Sequence, residues 1–207
     1  NGYDDGTFGP EKILTRAQAA KILAYMLLGE EKAEKLDKNN TSFSDVAAGN
    51  WAAGYIAYAV SKNILAGVGD GKFNPNGTLT GYAWAKIMLC ALGYDADIEG
   101  YQNNANWKTN IQEDADAISL CDGVDGFSYS ADVSRDAACQ IAYATLTSNM
   151  VEYEDKGQTI TVSGGESTSV EISSGAKPAK DVEDKKDIAY NDDHDETLQF
   201  VEKYYPD

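Results

Sequence analysis

The chain has 207 residues, enough to bury a substantial core in one or two domains. Its 34 acidic and 17 basic residues give a formal net charge of −17, which argues against nucleic acids and anionic lipid surfaces as partners because both need clustered Lys and Arg. No apolar run reaches the roughly 18 residues of a membrane span, so we expect no membrane insertion.

Helical periodicity recurs along the first 150 residues, with apolar side chains at three- and four-residue steps. Thr15, Thr80 and Ser134 begin three of the predicted helices as side-chain N-caps, and Gly29 and Gly93 end two of them. The predicted helices cover about 15–28, 30–36, 51–62, 80–92, 107–118 and 134–148.

The three capped helices follow glycine-containing turns by the same step of five residues. The steps run from Pro10 to Thr15, from Pro75 to Thr80 and from Tyr129 to Ser134. A unit that recurs at intervals of about 50–65 residues is the signature of a repeat architecture. The pattern therefore favours helix–loop–helix repeats with similar surfaces over an enzyme with one active site.

The composition changes after about residue 150. Alternating polar and apolar residues at 158–162 and 168–172 predict a β-hairpin. Residues 176–195 are polar, charged and poor in large apolar side chains, which is typical of a linker. One final short helix is predicted at 196–205, and the tail as a whole is interpreted as an acidic connector.

Cysteine and histidine are sparse and scattered. Cys90, Cys121 and Cys139 form no CxxC motif, and His194 is the one histidine. We interpret the cysteines as small buried thiols and His194 as part of a solvated loop. The sequence thus predicts no metal, no cofactor and no catalytic residues.

Two other classes of function, a calcium-binding module and a glycosidase, fit the sequence less well. The stretch 95–100 has the acidic-then-glycine rhythm of a calcium loop, but Asn106 stands where an EF-hand needs a bidentate Glu. A glycosidase needs two poised carboxylates, and nothing in the sequence marks one pair among the 34 acidic residues. A structural module for lattice formation or self-association stays open as an alternative.

Several motifs resemble the S-layer homology family of bacterial surface-anchoring modules. The second repeat carries the fullest set, the first carries one signature, and the third carries a related one. The motifs are Phe43-Ser-Asp45-Val46, Trp51-Ala-Ala-Gly-Tyr55-Ile56, Gly67-Val-Gly-Asp-Gly-Lys-Phe73-Asn-Pro75, Thr15-Arg16-Ala17-Gln18, and Ser134-Arg135-Asp136-Ala137 with Trp107.

The resemblance implies a mainly α fold in which three helix–loop–helix repeats are arranged with pseudo-threefold symmetry. The implied repeats are 1–30, which lacks its opening helix, 41–93 and 94–149. A small β-hairpin and an extended acidic tail follow over 150–207.

The resemblance also implies an extracellular location at the bacterial cell surface. Members of the family anchor surface-layer proteins non-covalently to the Gram-positive wall by binding a secondary cell-wall polysaccharide, often pyruvylated, in grooves between repeats. A pyruvyl ketal carries a carboxylate, and an Arg at a helix N-terminus can bind a carboxylate with paired, charge-assisted hydrogen bonds.

Matching residue by residue, the resemblance makes Arg16 and Arg135 the candidate anion contacts, while Gly81 replaces the arginine in the second repeat. The expected groove combines Arg16 and Gln18 of the first repeat with Asp45 and Trp51 of the second. The candidate carbohydrate-binding residues are Thr15, Arg16, Gln18, Asp45, Trp51, Thr80, Lys86, Trp107 and Arg135.

Each candidate also has a purely structural alternative. Trp51 and Trp107 can pack in the core, and the arginines can pair with carboxylates of a neighbouring repeat. Asp45 can cap the helix that follows it. Phe8, Phe73 and Phe127 are interpreted as core residues alone.

Overall fold

The structure, a computed structural model, describes residues 2–3, 5–39, 41–153, 158–161, 169–172, 175–179 and 197–205. This part of the chain is mainly helical. Its helices are α1 (Arg16–Leu28), α2 (Glu30–Ala33), α3 (Ala53–Ser61), α4 (Gly81–Leu92), α5 (Trp107–Ala117), α6 (Arg135–Leu146) and α7 (Phe200–Tyr204). Its strands are β1 (Val151–Glu152), β2 (Gln158–Thr161), β3 (Ser169–Ile172) and β4 (Lys177–Pro178).

The three predicted N-caps are confirmed. The hydroxyls of Thr15, Thr80 and Ser134 each accept a hydrogen bond from the backbone amide three residues later, at 3.1 to 3.3 Å. Gln18 completes a capping box in α1, because its side-chain oxygen accepts from the Thr15 amide at 3.0 Å. Local capping thus fixes where the three long helices begin.

The starts of α1, α4 and α6 are joined to one another through the loops that precede them. In each helix the first two amides donate to carbonyl oxygens in the loop before the next helix, and the third helix returns to the first loop. The donor–acceptor pairs, 2.8 to 3.0 Å apart, are Arg16 to Gly77, Ala17 to Pro75, Gly81 to Ala131, Tyr82 to Tyr129, Arg135 to Lys12 and Asp136 to Pro10. These bonds close a ring and use backbone amides that a helix leaves unsatisfied.

A second layer of helices packs outside this ring. Helix α3 packs on α1, and α5 packs on α4, whereas among the described helices α6 contacts α4 and α7. This difference in packing changes the burial of the residue nine positions after each N-cap. Ala24 in α1 and Leu89 in α4 are fully buried at that position, but Tyr143 in α6 is 70% exposed. The outer face of α6 is therefore open in the described part of the chain.

The core is one continuous cluster under the helix starts and between the helices. Trp84 and Phe73 are fully buried, which confirms Phe73 as a core residue. The same prediction is wrong for Phe8, which lies in the N-terminal loop and is 44% exposed although the Arg135 guanidinium packs over its ring. Phe127 is partly buried and packs against Tyr129.

The predicted hairpin is confirmed, since β2 and β3 pair antiparallel. The predicted linker at 176–195 falls mostly outside the described residues. Strand β4 pairs with β1, and the predicted last helix is present as α7. None of the helices in the described residues combines the length and the apolar character that crossing a bilayer requires.

The expectation of an extended tail is wrong for its described segments. Helix α7 packs on both α1 and α6, and Phe200 is fully buried. Met150 and Ala179 are buried with it in the same core cluster. A few well-spaced apolar side chains are enough to hold these segments on the helices despite the acidic composition of the tail.

Candidate functional site

A cleft of about 750 Å³ lies between α1, α6 and α7, and it is called here the α1–α6 cleft. Its size is within the range of small-molecule sites. Apolar side chains of both long helices form much of its lining, including Ile22 and Met26 of α1 and Ala142 and Leu146 of α6. The cleft is thus an apolar trough between two helices of the ring.

Aromatic side chains surround this trough. Tyr3 and Phe8 come from the N-terminal loop, Trp51 from the segment before α3, Tyr25 from α1 and Tyr205 from the end of α7. Trp51 is 49% exposed and lines the cleft, so the structural alternative of core packing leaves half of this residue open to the groove. An indole this exposed offers a face to a ligand.

Arg135, the first residue of α6, lines the same cleft. Its Nε donates to the carbonyl oxygen of Phe8 at 3.0 Å, and its guanidinium carbon lies 5.0 Å and 4.8 Å from the ring centroids of Tyr3 and Phe8. Among the described residues this is the one hydrogen bond of the guanidinium, which leaves its two Nη groups available. These contacts hold the Arg135 side chain in place and leave its positive charge available to a ligand.

Lys21 is a second cation of the cleft, and the sequence reasoning missed it. Its Nζ lies 3.2 Å from the Glu34 carboxylate and 4.8 Å from the ring centroid of Tyr25. Hydrogen bonds from Tyr25, Tyr55 and Lys21 lower the pKa of Glu34 to about 2. Lys21 occupies the position in α1 that Lys86 occupies in α4, and that correspondence could have identified it.

Arg16 is placed differently from Arg135. Its Nε donates to the Phe73 carbonyl at 2.8 Å and its Nη2 to the Ala66 carbonyl at 2.6 Å. Burial lowers the pKa of the Arg16 guanidinium, and the nearby Asp45 carboxylate opposes that shift. Arg16 therefore holds the glycine-rich loop of the following repeat, and it does not line the α1–α6 cleft.

Asp45 holds the same loop from the other side. Its two carboxylate oxygens accept from the amides of Phe73 and Asn74 at 2.8 and 2.7 Å. These hydrogen bonds lower the pKa of the Asp45 carboxyl, the one from Phe73 most strongly. Asp45 thus acts as a loop clamp rather than as the cap of α3, whose first turn has no side-chain cap.

The structure consequently divides the predicted groove. Gln18 and Trp51 line the α1–α6 cleft together with Arg135, whereas Arg16 and Asp45 lie at the glycine-rich loop.

Cys139 also lines the cleft and is exposed, so the expectation of a buried thiol is wrong there.

The remaining candidates lie on other parts of the surface. Thr15 and Thr80 act as helix caps. The Lys86 ammonium donates to the Gln102 side chain at 3.0 Å, and the Trp107 ring packs edge-on against Tyr82 with centroids 5.8 Å apart. None of these four residues lines the cleft.

Gly81 explains why the second repeat has no equivalent of the arginine. A Cβ at Gly81 would lie 2.5 Å from the Ser128 carbonyl oxygen and 2.8 Å from the Tyr129 Cα. The 127–129 loop thus occupies the space that a side chain at position 81 would need. Position 81 therefore has no positive charge and no space for a ligand beside it.

Several of the residues that make these contacts lie in stretches that match the sequence pattern of a known family. The sequence pattern of the S-layer homology domain matches residues 1–20 and 42–81. These two stretches are similar to S-layer homology repeats. The match includes the start of α1 and the loop that Arg16 and Asp45 hold.

Curated relatives are surface proteins of bacteria. The chain is 32% identical to a surface layer protein of Brevibacillus choshinensis over 59% of this chain and 10% of that protein. It is 32% identical to a cell surface protein of Thermoanaerobacter kivui over 75% of this chain and 19% of that protein. It is 36% identical to a cellulosome-anchoring protein of Acetivibrio thermocellus over 42% of this chain and 19% of that protein.

The chain therefore spans between about a tenth and a fifth of the length of these relatives. The S-layer homology repeats and the named relatives place the chain outside the cell, at the bacterial cell surface or wall. The name of the Acetivibrio thermocellus relative describes an anchoring role for that protein.

Proposed function

We propose that this chain anchors a surface protein to the cell wall by binding an anionic secondary cell-wall polysaccharide in the α1–α6 cleft. The bound unit is a carboxylate-bearing sugar, such as a pyruvylated amino sugar. The observation that carries this proposal is the convergence of Gln18, Trp51 and Arg135, three residues of the family motifs, on one cleft.

The chemistry of the lining suits such a ligand. The Nη groups of Arg135 can bind a carboxylate with charge-assisted hydrogen bonds, whereas the charge of Lys21 is offset by its ion pair with Glu34. The exposed face of Trp51 can pack against the apolar face of a sugar ring. The charged residues of the lining are Lys21, Glu30 and Arg135, so in a chain with a net charge of −17 the attraction for an anionic glycan comes from Arg135, which forms no ion pair among the described residues.

The proposal includes the arrangement of the repeats. We assign them to 1–30, 41–93 and 94–149, related by a pseudo-threefold axis, with 150–207 as an appended segment. The closed ring of bonds between the starts of α1, α4 and α6 supports this arrangement, because each repeat contributes the same two amides and the same two carbonyls.

The arrangement also indicates which of the grooves between repeats is the main binding site. Gly81 leaves the second repeat without an arginine, and the Arg16 guanidinium already donates to two carbonyls. Arg135 is the arginine whose Nη groups face no described acceptor, so the α1–α6 cleft is the principal binding site of the proposal.

Binding to purified sacculi of Brevibacillus choshinensis tests this function. We expect the chain to sediment with sacculi and to lose retention when acid treatment removes the pyruvyl groups. Arg135→Ala should weaken binding by about tenfold or more, because hydrogen bonds to a charged group contribute about 1.5–3 kcal/mol. Lys62→Ala removes the same charge from an exposed residue outside the cleft and should bind as the wild type does.

Equal retention of Arg135→Ala and Lys62→Ala would refute the assignment of the site. Equal retention by pyruvylated and depyruvylated sacculi would refute the carboxylate as the recognised group. Concentration-dependent assembly without any sacculus binding would instead favour the alternative of a self-associating surface lattice, and sedimentation velocity measures it directly.

A further inference from the structure

Helix α7 lies far outside the matched motifs of residues 1–20 and 42–81, yet it connects the ends of two helices of the ring. At the α6 end, the Met150 amide donates to the Leu198 carbonyl at 2.7 Å, and the Phe200 amide donates to the Ser148 carbonyl at 3.1 Å. The Phe200 ring is fully buried beneath these bonds. The segment 197–205 is therefore fixed to the C-terminal end of α6.

At the α1 end, a side chain makes the connection. The Tyr205 hydroxyl lies 2.7 Å from the Tyr25 carbonyl oxygen and 3.1 Å from the Met26 carbonyl oxygen, both in the last turn of α1. The Tyr25 carbonyl also accepts from the Gly29 amide at 2.9 Å, whereas the Met26 carbonyl is one of the last four of the helix and gains a donor from this hydroxyl. The hydroxyl end of the Tyr205 ring is thus held in one position.

The rest of the Tyr205 ring faces the binding cleft. Tyr205 and Val201 both line the α1–α6 cleft, opposite the end that holds Arg135, and Tyr205 is 39% exposed. An aromatic ring anchored at its hydroxyl and open on one side is pre-organised for contact, because binding then costs little rotamer entropy.

We infer that Tyr205 is a ligand-contact residue and that α7 forms one wall of the carbohydrate site. This inference rests on the proposed function and deepens it. The Tyr205 ring packs against a sugar unit next to the carboxylate-bearing unit held by Arg135. The glycan site then extends beyond the residues of the S-layer homology motifs, and the segment after the repeats contributes to its specificity.

The test compares two substitutions of one residue in the full chain. Tyr205→Phe and Tyr205→Leu both remove the hydroxyl and its bonds to α1, so both should lower the Tm by similar amounts. Only the Phe variant keeps an aromatic face. Isothermal titration with polysaccharide released from the same sacculi should show Phe weaker than the wild type by about twofold, because its ring is no longer anchored, and Leu weaker by about five- to tenfold, because it also lacks the aromatic face.

Two further variants separate this inference from the proposed function. Tyr143→Ala removes an exposed aromatic residue of α6 that does not line the cleft, and it should leave affinity unchanged. Trp51→Ala should weaken binding. Equal affinities of the Phe and Leu variants, with Trp51→Ala and Arg135→Ala still weakened, would overturn the role of Tyr205 alone. Unchanged affinity of all these variants would overturn the cleft itself.

Discussion

The guanidinium of Arg16 donates from Nε to the carbonyl oxygen of Phe73, 57 residues further along the chain, at 2.8 Å. The same guanidinium carbon lies 4.4 Å from the centroid of the Phe73 ring, so the side chain contacts both the backbone and the ring of one residue. Asp45 accepts from the Phe73 amide. Phe73 is thus held at its amide, its carbonyl and its ring by two repeats at once.

We predict that Arg16→Ala acts on stability. It removes the bonds to the Phe73 and Ala66 carbonyls and should lower the free energy of unfolding by about 2 kcal/mol, since hydrogen bonds from a charged donor contribute about 1.5–3 kcal/mol and partial exposure reduces that value. Urea denaturation measures the change. Arg16→Lys should restore little of it, because an ammonium cannot reproduce two divergent donors. A stable Arg16→Ala variant with lost glycan binding would contradict this role.

A second prediction concerns Gly81. Gly81→Ala places a methyl group against the backbone of Ser128 and Tyr129 and should destabilise the fold by about 1–3 kcal/mol through overpacking. That cost exceeds the gain of up to about 1 kcal/mol that alanine brings in a helix. Gly175→Ala is the control for the same change at an open position, since its Cβ would meet no atom of the described residues within 4 Å. Equal melting temperatures for the two variants would show that the 127–129 loop can move aside without a measurable loss of stability.

A third prediction follows from the low pKa of Glu34. Its folded pKa of about 2 lies below the usual 4.5, so the ionised carboxylate stabilises the fold above about pH 4.5, and this contribution disappears as the pH falls towards 2. Glu34→Gln should therefore have a lower Tm than the wild type at pH 7, and the difference should shrink between pH 4.5 and pH 2. A difference that is constant over this range would mean that charge plays no part in the contacts with Tyr25 and Lys21.

A fourth prediction addresses the C-terminal segment. Phe200 is fully buried, so Phe200→Ala should lower the free energy of unfolding by about 3–5 kcal/mol, the usual cost of removing a buried phenyl ring. Tyr143→Ala, at a position that is 70% exposed, should cost less than about 1 kcal/mol. Chemical denaturation of both variants would show whether α7 is part of the cooperative unit or an independent appendage.

Features set by local sequence were predictable. Thr15, Thr80 and Ser134 cap their helices with bonds that span three residues, and Gly29 ends α1 as expected. The β2–β3 hairpin follows from alternation over a few residues. In these cases the residue and its partner lie within one turn or one hairpin, where sequence spacing fixes geometry.

Features set by distant contacts were not predictable. The partners of Arg16 and Asp45 lie 28 to 57 residues away, and nothing in the local pattern identifies the Phe73 loop as their target. Tyr205 lies 180 residues from the Tyr25 carbonyl that it contacts. The motifs thus indicated which residue types matter but not which of them share a cleft.

The six amide-to-carbonyl bonds that interlock the three helix starts involve no side-chain atom. Bonds of this kind constrain only the backbone, so the side chains of such a unit can differ without breaking its links to its neighbours. Arg135 and Asp136 illustrate this: they lie outside the stretches that match the family pattern, yet they make the same pair of bonds as Arg16 and Ala17. Proteins with this architecture should therefore be easier to detect by these backbone hydrogen bonds than by sequence similarity.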